Sequence, residues 1–165
     1  MEILDTPSIR LLVQHSEPIV AMGLKAILHR DPNLNLLEAI HGVDPLSQTP
    51  DVIVCDHECA LSITLAARDR GLQMSNSRVL ALAVAPTAGR VRQALEAGVH
   101  GYLESDCPPD ELLCAVRMLA SGRRYLSAAA ARHIAESLAQ PPLTRREHEV
   151  LGYLASGKCN KTIAR

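Results

Sequence analysis

The sequence contains no tryptophan and no phenylalanine, and its only aromatic residues are Tyr102, Tyr125 and Tyr153. The core must therefore be aliphatic, built from Leu, Val, Ile and Ala. No apolar run reaches the ~18 residues that a membrane-spanning helix needs. The opening "MEILDTPSIR" lacks the basic stretch and apolar segment of a signal peptide, so a cytoplasmic protein without membrane contact is expected. No glycine-rich phosphate loop and no nucleophile elbow is present, which weighs against an enzyme. Five cysteines, an odd number without a secretion signal, point to reduced thiols and not to a disulfide framework. What is present is a globular composition, 47% hydrophobic and 21% charged, in 165 residues. That length suits one domain of ordinary size and a fragment of another. The net charge of −1 hides an asymmetry: residues 141–165 carry five basic and two acidic side chains, while residues 1–140 carry 12 and 16. A basic tail on an acidic body is a pattern of nucleic-acid-facing chains, and also one that a short window reaches by chance.

Short apolar runs alternate with segments of helical period. "IRLLVQ" (9–14), "LNLLEAI" (34–40), "DVIVCD" (51–56), "RVLALAV" (78–84) and "VHGYLES" (99–105) read as five strands. Between them, "PIVAMGLKAILHR", "LSITLAARDRG" (61–71), "GRVRQALEAG" (89–98) and "PPDELLCAVRMLASG" (108–122) read as helices, with Gly71, Gly98 and Gly122 as stops. "HGVDPLSQTP" (41–50) is too short and too rich in turn residues for more than a loop or one turn. Strands apolar on both faces need cover on both faces, and alternation with helices makes the sheet parallel. An α/β fold with a five-stranded, doubly wound parallel sheet follows. Beyond it, Ser127 can cap a helix over about 128–139 that "PP" (141–142) stops. Thr144 and Glu147 have the spacing of a capping box, and Asn160 can cap a last turn.

Ligands of such sheets bind beyond the carboxyl ends of the strands. Those ends carry "QHSE" (14–17), Asp56, "VAP" (84–86) and "ESD" (104–106). Three chemistries compete around "CDHEC" (55–59). A soft-metal site could draw on Cys55, His57, Cys59 and His15, but strand alternation turns Cys55 into a helix-covered face. An acid–base cluster could use Asp56, His15, Ser16 and Glu17. A reactive thiol could be Cys59, expected in an exposed loop, although Asp56 and Glu58 would raise its pKa. Cys107 and Cys159 are expected to be exposed, and Cys114 to pack on a helix stripe.

With "IRLLVQHSEPIVAMGL", "DVIVCD", "ALEAGVHGYLESD" and "ELLCAVRMLASGRRYLS", the chain resembles the receiver domain of response regulators. "LTRREHEVLGYLASGKCNKTIAR" resembles a LuxR-type helix-turn-helix, and together they resemble the NarL/FixJ class. The resemblance implies a flavodoxin/CheY-like receiver over 8–125 and a helical linker over 126–142. An N-terminal fragment of the DNA-binding domain then covers 143–165, with Thr144, Arg145, Glu149, Asn160 and Lys161. The recognition helix would follow residue 165, so this chain is expected to lack it. Receivers use an acidic pair for Mg²⁺, an acceptor Asp, a hydroxyl and a Lys around the phosphoryl group. The acceptor falls on Asp56, the acidic pair on His15 and Ser16, the hydroxyl on Ala83 and the Lys on Ser105. Glu17 could offer one oxygen, and Tyr102 falls on the signalling aromatic. The resemblance thus implies an atypical receiver without a resident Mg²⁺ or other cofactor, signalling without conventional Asp phosphorylation. The alternatives are a two-component regulator phosphorylated on Asp56, or a module for ligand, redox or protein input. Implied partners are a second copy of the chain, DNA in the full-length protein, and a sensor kinase or other signalling protein. The implied dimer face spans 89–122 and carries Arg90, Arg92, Glu96, Asp110, Glu111 and Arg117.

Overall fold

A computed structural model describes residues 8–40, 42–70 and 77–139. The chain divides into two compact units, residues 1–134 and 135–165. Of the second, only the end of one helix lies among the described residues. The expected stop at Gly71 and the helix-turn-helix residues Thr144, Arg145, Glu149, Asn160 and Lys161 lie outside them.

The elements run β1 (Ile9–Gln14), α1 (Pro18–Leu28), β2 (Leu34–Leu37), a 3₁₀ turn (Pro45–Gln48), β3 (Val52–Asp56), α2 (His57–Asp69), β4 (Arg78–Ala83), α3 (Ala88–Ala97), β5 (Gly101–Glu104), α4 (Pro109–Ala120), β6 (Tyr125–Leu126) and α5 (Ala128–Ala139). All strand pairs are parallel, in the order β2-β1-β3-β4-β5-β6. Strand order reverses about β1, so the loop after β1 and the end of β3 flank the switch point where such sheets bind ligands.

Alternation along the strands sorts the core into two layers. Leu11, Val13, Val54, Leu80, Leu82 and Leu103 face α1 and α4, meeting Leu24, Leu28, Leu112, Val116 and Leu119. Leu12, Ile53, Cys55, Val79, Ala81 and Tyr102 face the other way, onto Ala60 and Ile63 of α2, Val91 and Ala94 of α3, and Ala130 of α5. Burial of these aliphatic side chains, at about 1.5–3 kcal/mol each, is the main force holding helices to sheet.

Two expectations change. The sheet has six strands, not five, because Tyr125–Leu126 pairs with Gly101–Tyr102. Two residues between a Gly stop and a Ser cap carry no strand periodicity, yet the N–H groups of Tyr125 and Ser127 donate to the carbonyls of His100 and Tyr102 at 3.3 and 3.0 Å. The first compact unit runs to Ile134, and β6 spans Tyr125–Leu126. Helix α2 begins at His57, directly after β3, and not at 61. Several of the charges on the expected dimer face have partners within the chain. Arg90 pairs with Glu58, Arg117 with Asp31, and Glu111 accepts from the Tyr125 hydroxyl.

Candidate functional site

Asp56 closes β3 and caps α2. Its Oδ1 accepts the Cys59 N–H at 2.9 Å, and its Oδ2 accepts the Ser16 N–H at 2.8 Å from the loop after β1. The first bond is what an Asp at the start of a helix offers the orphan N–H groups of the first turn. The second ties the β1 loop across the switch point. Partial burial opposes ionisation of Asp56, but the two backbone donors, with Ser16 and His15, outweigh it and lower its pKa.

The cleft above Asp56, of about 210 Å³, gathers the residues expected there: His15, Ser16, Glu17, Ala83 and Ser105. Ser105 continues the β4–β5 ladder through its N–H to the Ala83 carbonyl at 3.0 Å. His15 Nδ1 accepts the Glu17 N–H at 3.0 Å, a local turn that occupies one ring nitrogen. Arg90 of α3 and Glu58 of α2 also line the cleft and pair at 3.0 Å. Sequence reasoning placed Cys59 in a loop and Arg90 on a dimer face. The signal that could have put Glu58 on a helix was an Asp three residues before Cys59, the position of a helix N-cap.

Tyr102, fully buried, points under α2. Its hydroxyl lies 3.1 Å from Nδ1 of His57, which is only 3% exposed. Burial raises the Tyr102 pKa, and burial and the charge of Arg90 lower that of His57.

Cys55 lies in the helix-covered layer as expected, whereas Cys59, Cys107 and Cys114 are placed otherwise than expected, and Cys159 lies outside the described residues. Cys59 stands in the first turn of α2 and not in a loop. It shares a hydrogen bond with Cys55, and this lowers its pKa although burial and Asp56 oppose it. The same bond and complete burial hold the Cys55 thiol well above its usual range. Cys107 packs partly into the core, and burial pushes it up to about 11, whereas Cys114 is exposed. Among the described residues, no three or more His, Cys, Asp or Glu side chains converge as metal ligands would. Among the same residues, no helix is long and apolar enough to cross a membrane.

Residues 141–165 match the family model "GerE: Bacterial regulatory proteins, luxR family". Over 154 residues the chain is 33% identical to the transcriptional regulatory protein UhpA of Escherichia coli, covering 88% of this chain and 76% of the relative. It is 30% identical to the nitrate/nitrite response regulator NarL of Escherichia coli over 94% of this chain and 79% of that protein. The crystal structure of the response regulator ChrA, of a heme-sensing two-component system, superposes with a TM-score of 0.63 at 29% identity, covering 96% of this chain and 80% of that one. The six-stranded receiver fold, the acidic strand end at Asp56 and these similarities agree. The chain belongs to the LuxR-type family of response-regulator transcription factors, together with UhpA and NarL.

Proposed function

We propose that this regulator carries its signal without conventional phosphorylation of Asp56. The observation that supports this most directly is the set of side chains gathered around Asp56: His15, Ser16, Ala83 and Ser105. A phosphoryl acceptor needs a cation to offset the charge of the incoming group and partners for its oxygens. The groups around Asp56 do not suit Mg²⁺, which asks for several hard oxygen ligands in octahedral array. His15 offers a ring nitrogen, Ser16 a hydroxyl and Glu17 a carboxylate, while the Glu58 carboxylate in the cleft is paired with Arg90. Ala83 has no hydroxyl to bind a phosphoryl oxygen, and Ser105 has no cationic head to neutralise one. The nearest cation in the cleft, Arg90, is paired with Glu58.

On this reading the protein is a non-enzymatic transcription regulator of the cytoplasm. DNA is its target through the luxR-type segment, and a second copy of the chain is its assembly partner in the unphosphorylated state. A protein partner, sensor kinase or other, supplies the input. A second reading, phosphorylation at Asp56, has one observation in its favour: the carboxyl is held ionised at the floor of an open cleft. Acetyl phosphate with Mg²⁺, followed by intact-mass measurement, separates the two. No gain of a phosphoryl group is expected. A rapid, Mg²⁺-dependent gain that Asp56→Asn abolishes would establish the second reading instead.

A further inference from the structure

Among the described residues, the layer beneath α2 and α3 is mostly aliphatic and contains a buried polar pair, His57 and Tyr102. The His57 and Tyr102 rings meet edge to face, with centroids 5.8 Å apart and planes at 71°. The Tyr102 hydroxyl and His57 Nδ1 are within hydrogen-bond reach at 3.1 Å, and His57 also bonds the side chain of Gln93 on α3. A neutral imidazole with its hydrogen on Nε2 satisfies both neighbours, accepting from the hydroxyl and donating to the amide oxygen. Buried polar groups are stable only when satisfied, so His57 and Tyr102 depend on each other, while Gln93 is exposed on α3.

The two buried residues occupy particular positions. His57 directly follows Asp56 and is the first residue of α2. Tyr102 lies in β5, where its β4 neighbour is Ala81, with Ala83 two residues on along the same face. Two small side chains leave room for the ring to stay inside. The other side of β5 is where β6 attaches: Leu126 pairs with Tyr102, and the Tyr102 carbonyl accepts the Ser127 N–H at 3.0 Å. Ser127 in turn caps α5, whose Ala130 is fully buried in the same layer as Tyr102.

We propose that His57 is a latch. Its bond to the Tyr102 hydroxyl holds the ring in the core and so fixes β5 against β6 and the first turns of α5. A change at the Asp56 end of α2 thereby reaches the helix that precedes the luxR-type segment. This deepens the reading above by naming the contact that transmits its signal. It is tested without any phosphodonor, so the two can fail separately.

The full chain, His57→Phe, His57→Gln and an Ile63→Val control on the same helix would be compared after far-UV circular dichroism confirms folding. Nitration by tetranitromethane with peptide mapping reads the exposure of Tyr102, and hydrogen exchange reads the Ser127 amide. In the wild type, Tyr102 is expected to resist nitration. His57→Phe keeps a ring but strands the hydroxyl, and is expected to raise Tyr102 nitration and Ser127 exchange by roughly tenfold each. His57→Gln, which again offers an acceptor and a donor, is expected to restore most of both protections. The latch is overturned if folded His57→Phe behaves as wild type in both measurements, or if Ile63→Val shifts them equally.

Discussion

His100 lies between β4 and β5 with its ring 8% exposed, and its Nδ1 accepts the Val79 N–H at 3.2 Å. A protonated ring could not accept that bond. Burial, then the charges of Arg78 and Arg124, lower its pKa from 6.5 to about 4. In the unfolded chain the imidazole takes up its proton near 6.5, so between these two values the unfolded state binds more protons than the folded one. Stability is therefore unaffected at neutral pH, falls as pH drops below about 6.5, and stops falling through this group below about 4. From pH 7.5 to pH 5 the loss through His100 is expected to be about 2 kcal/mol. Urea melts of the protein and of His100→Asn at these two pH values check it. The variant should lose clearly less on acidification, and an equal loss in both would show that the ring is not responsible. The lowered pKa of His57 adds to the same trend, as do the ionised carboxylates of Asp31 and Asp56 once the pH falls far enough to protonate them.

Elements with their own stop and start signals were legible before any coordinates. Helix α3 runs from the Thr87 cap to Gly98, whose φ of +99° suits glycine, and "GRVRQALEAG" already displays that ending. Helix α4, with Pro109, Asp110 and Glu111 in its first turn, was equally plain. The start of α2 was missed because its cap is a strand residue: Asp56 ends β3 and begins α2 with no loop between. The His57–Tyr102 contact was missed for the same reason, since a loop histidine has no assigned direction. The positions of His15, Ser16, Glu17 and Ser105 were readable from strand ends, and that of Ala83 from the family resemblance. The two donors on Asp56 were not, because backbone N–H groups leave no mark in a sequence. Ser127 is the case where reading and structure agree most closely. Its hydroxyl accepts the Ala130 N–H at 3.0 Å while the residue itself is 2% exposed. Ser127→Ala is expected to cost about 1 kcal/mol, and Ser127→Gly, which adds no bulk at this buried position, less. Thermal melts should show the alanine variant about 3–5 °C lower, and a melt unchanged from wild type would assign α5 no cap-dependent stability.

For the molecule as a whole, the long strands β1, β3 and β4 are interior, while the two outer strands span four residues and two. Open strand edges present unpaired N–H and C=O groups to any other chain, and proteins shorten or cover them. Here β6 and α5 act as a guard. They occupy the His100 and Tyr102 carbonyls and lay Ala130 and Ile134 over the apolar layer that contains Tyr102. Removing them affects colloidal behaviour before it affects the fold, because the buried residues of the core layer around α1 and α4 remain and that layer loses only the partly buried Tyr125. A chain ending after Gly122 is expected to form β-rich aggregates that bind thioflavin and scatter light increasingly with concentration. One ending after Ala139 should stay clear under the same conditions. If the shorter chain proved as monodisperse as the longer, the two-residue strand would be ornamental, and solubility would have to come from the charges on the surface.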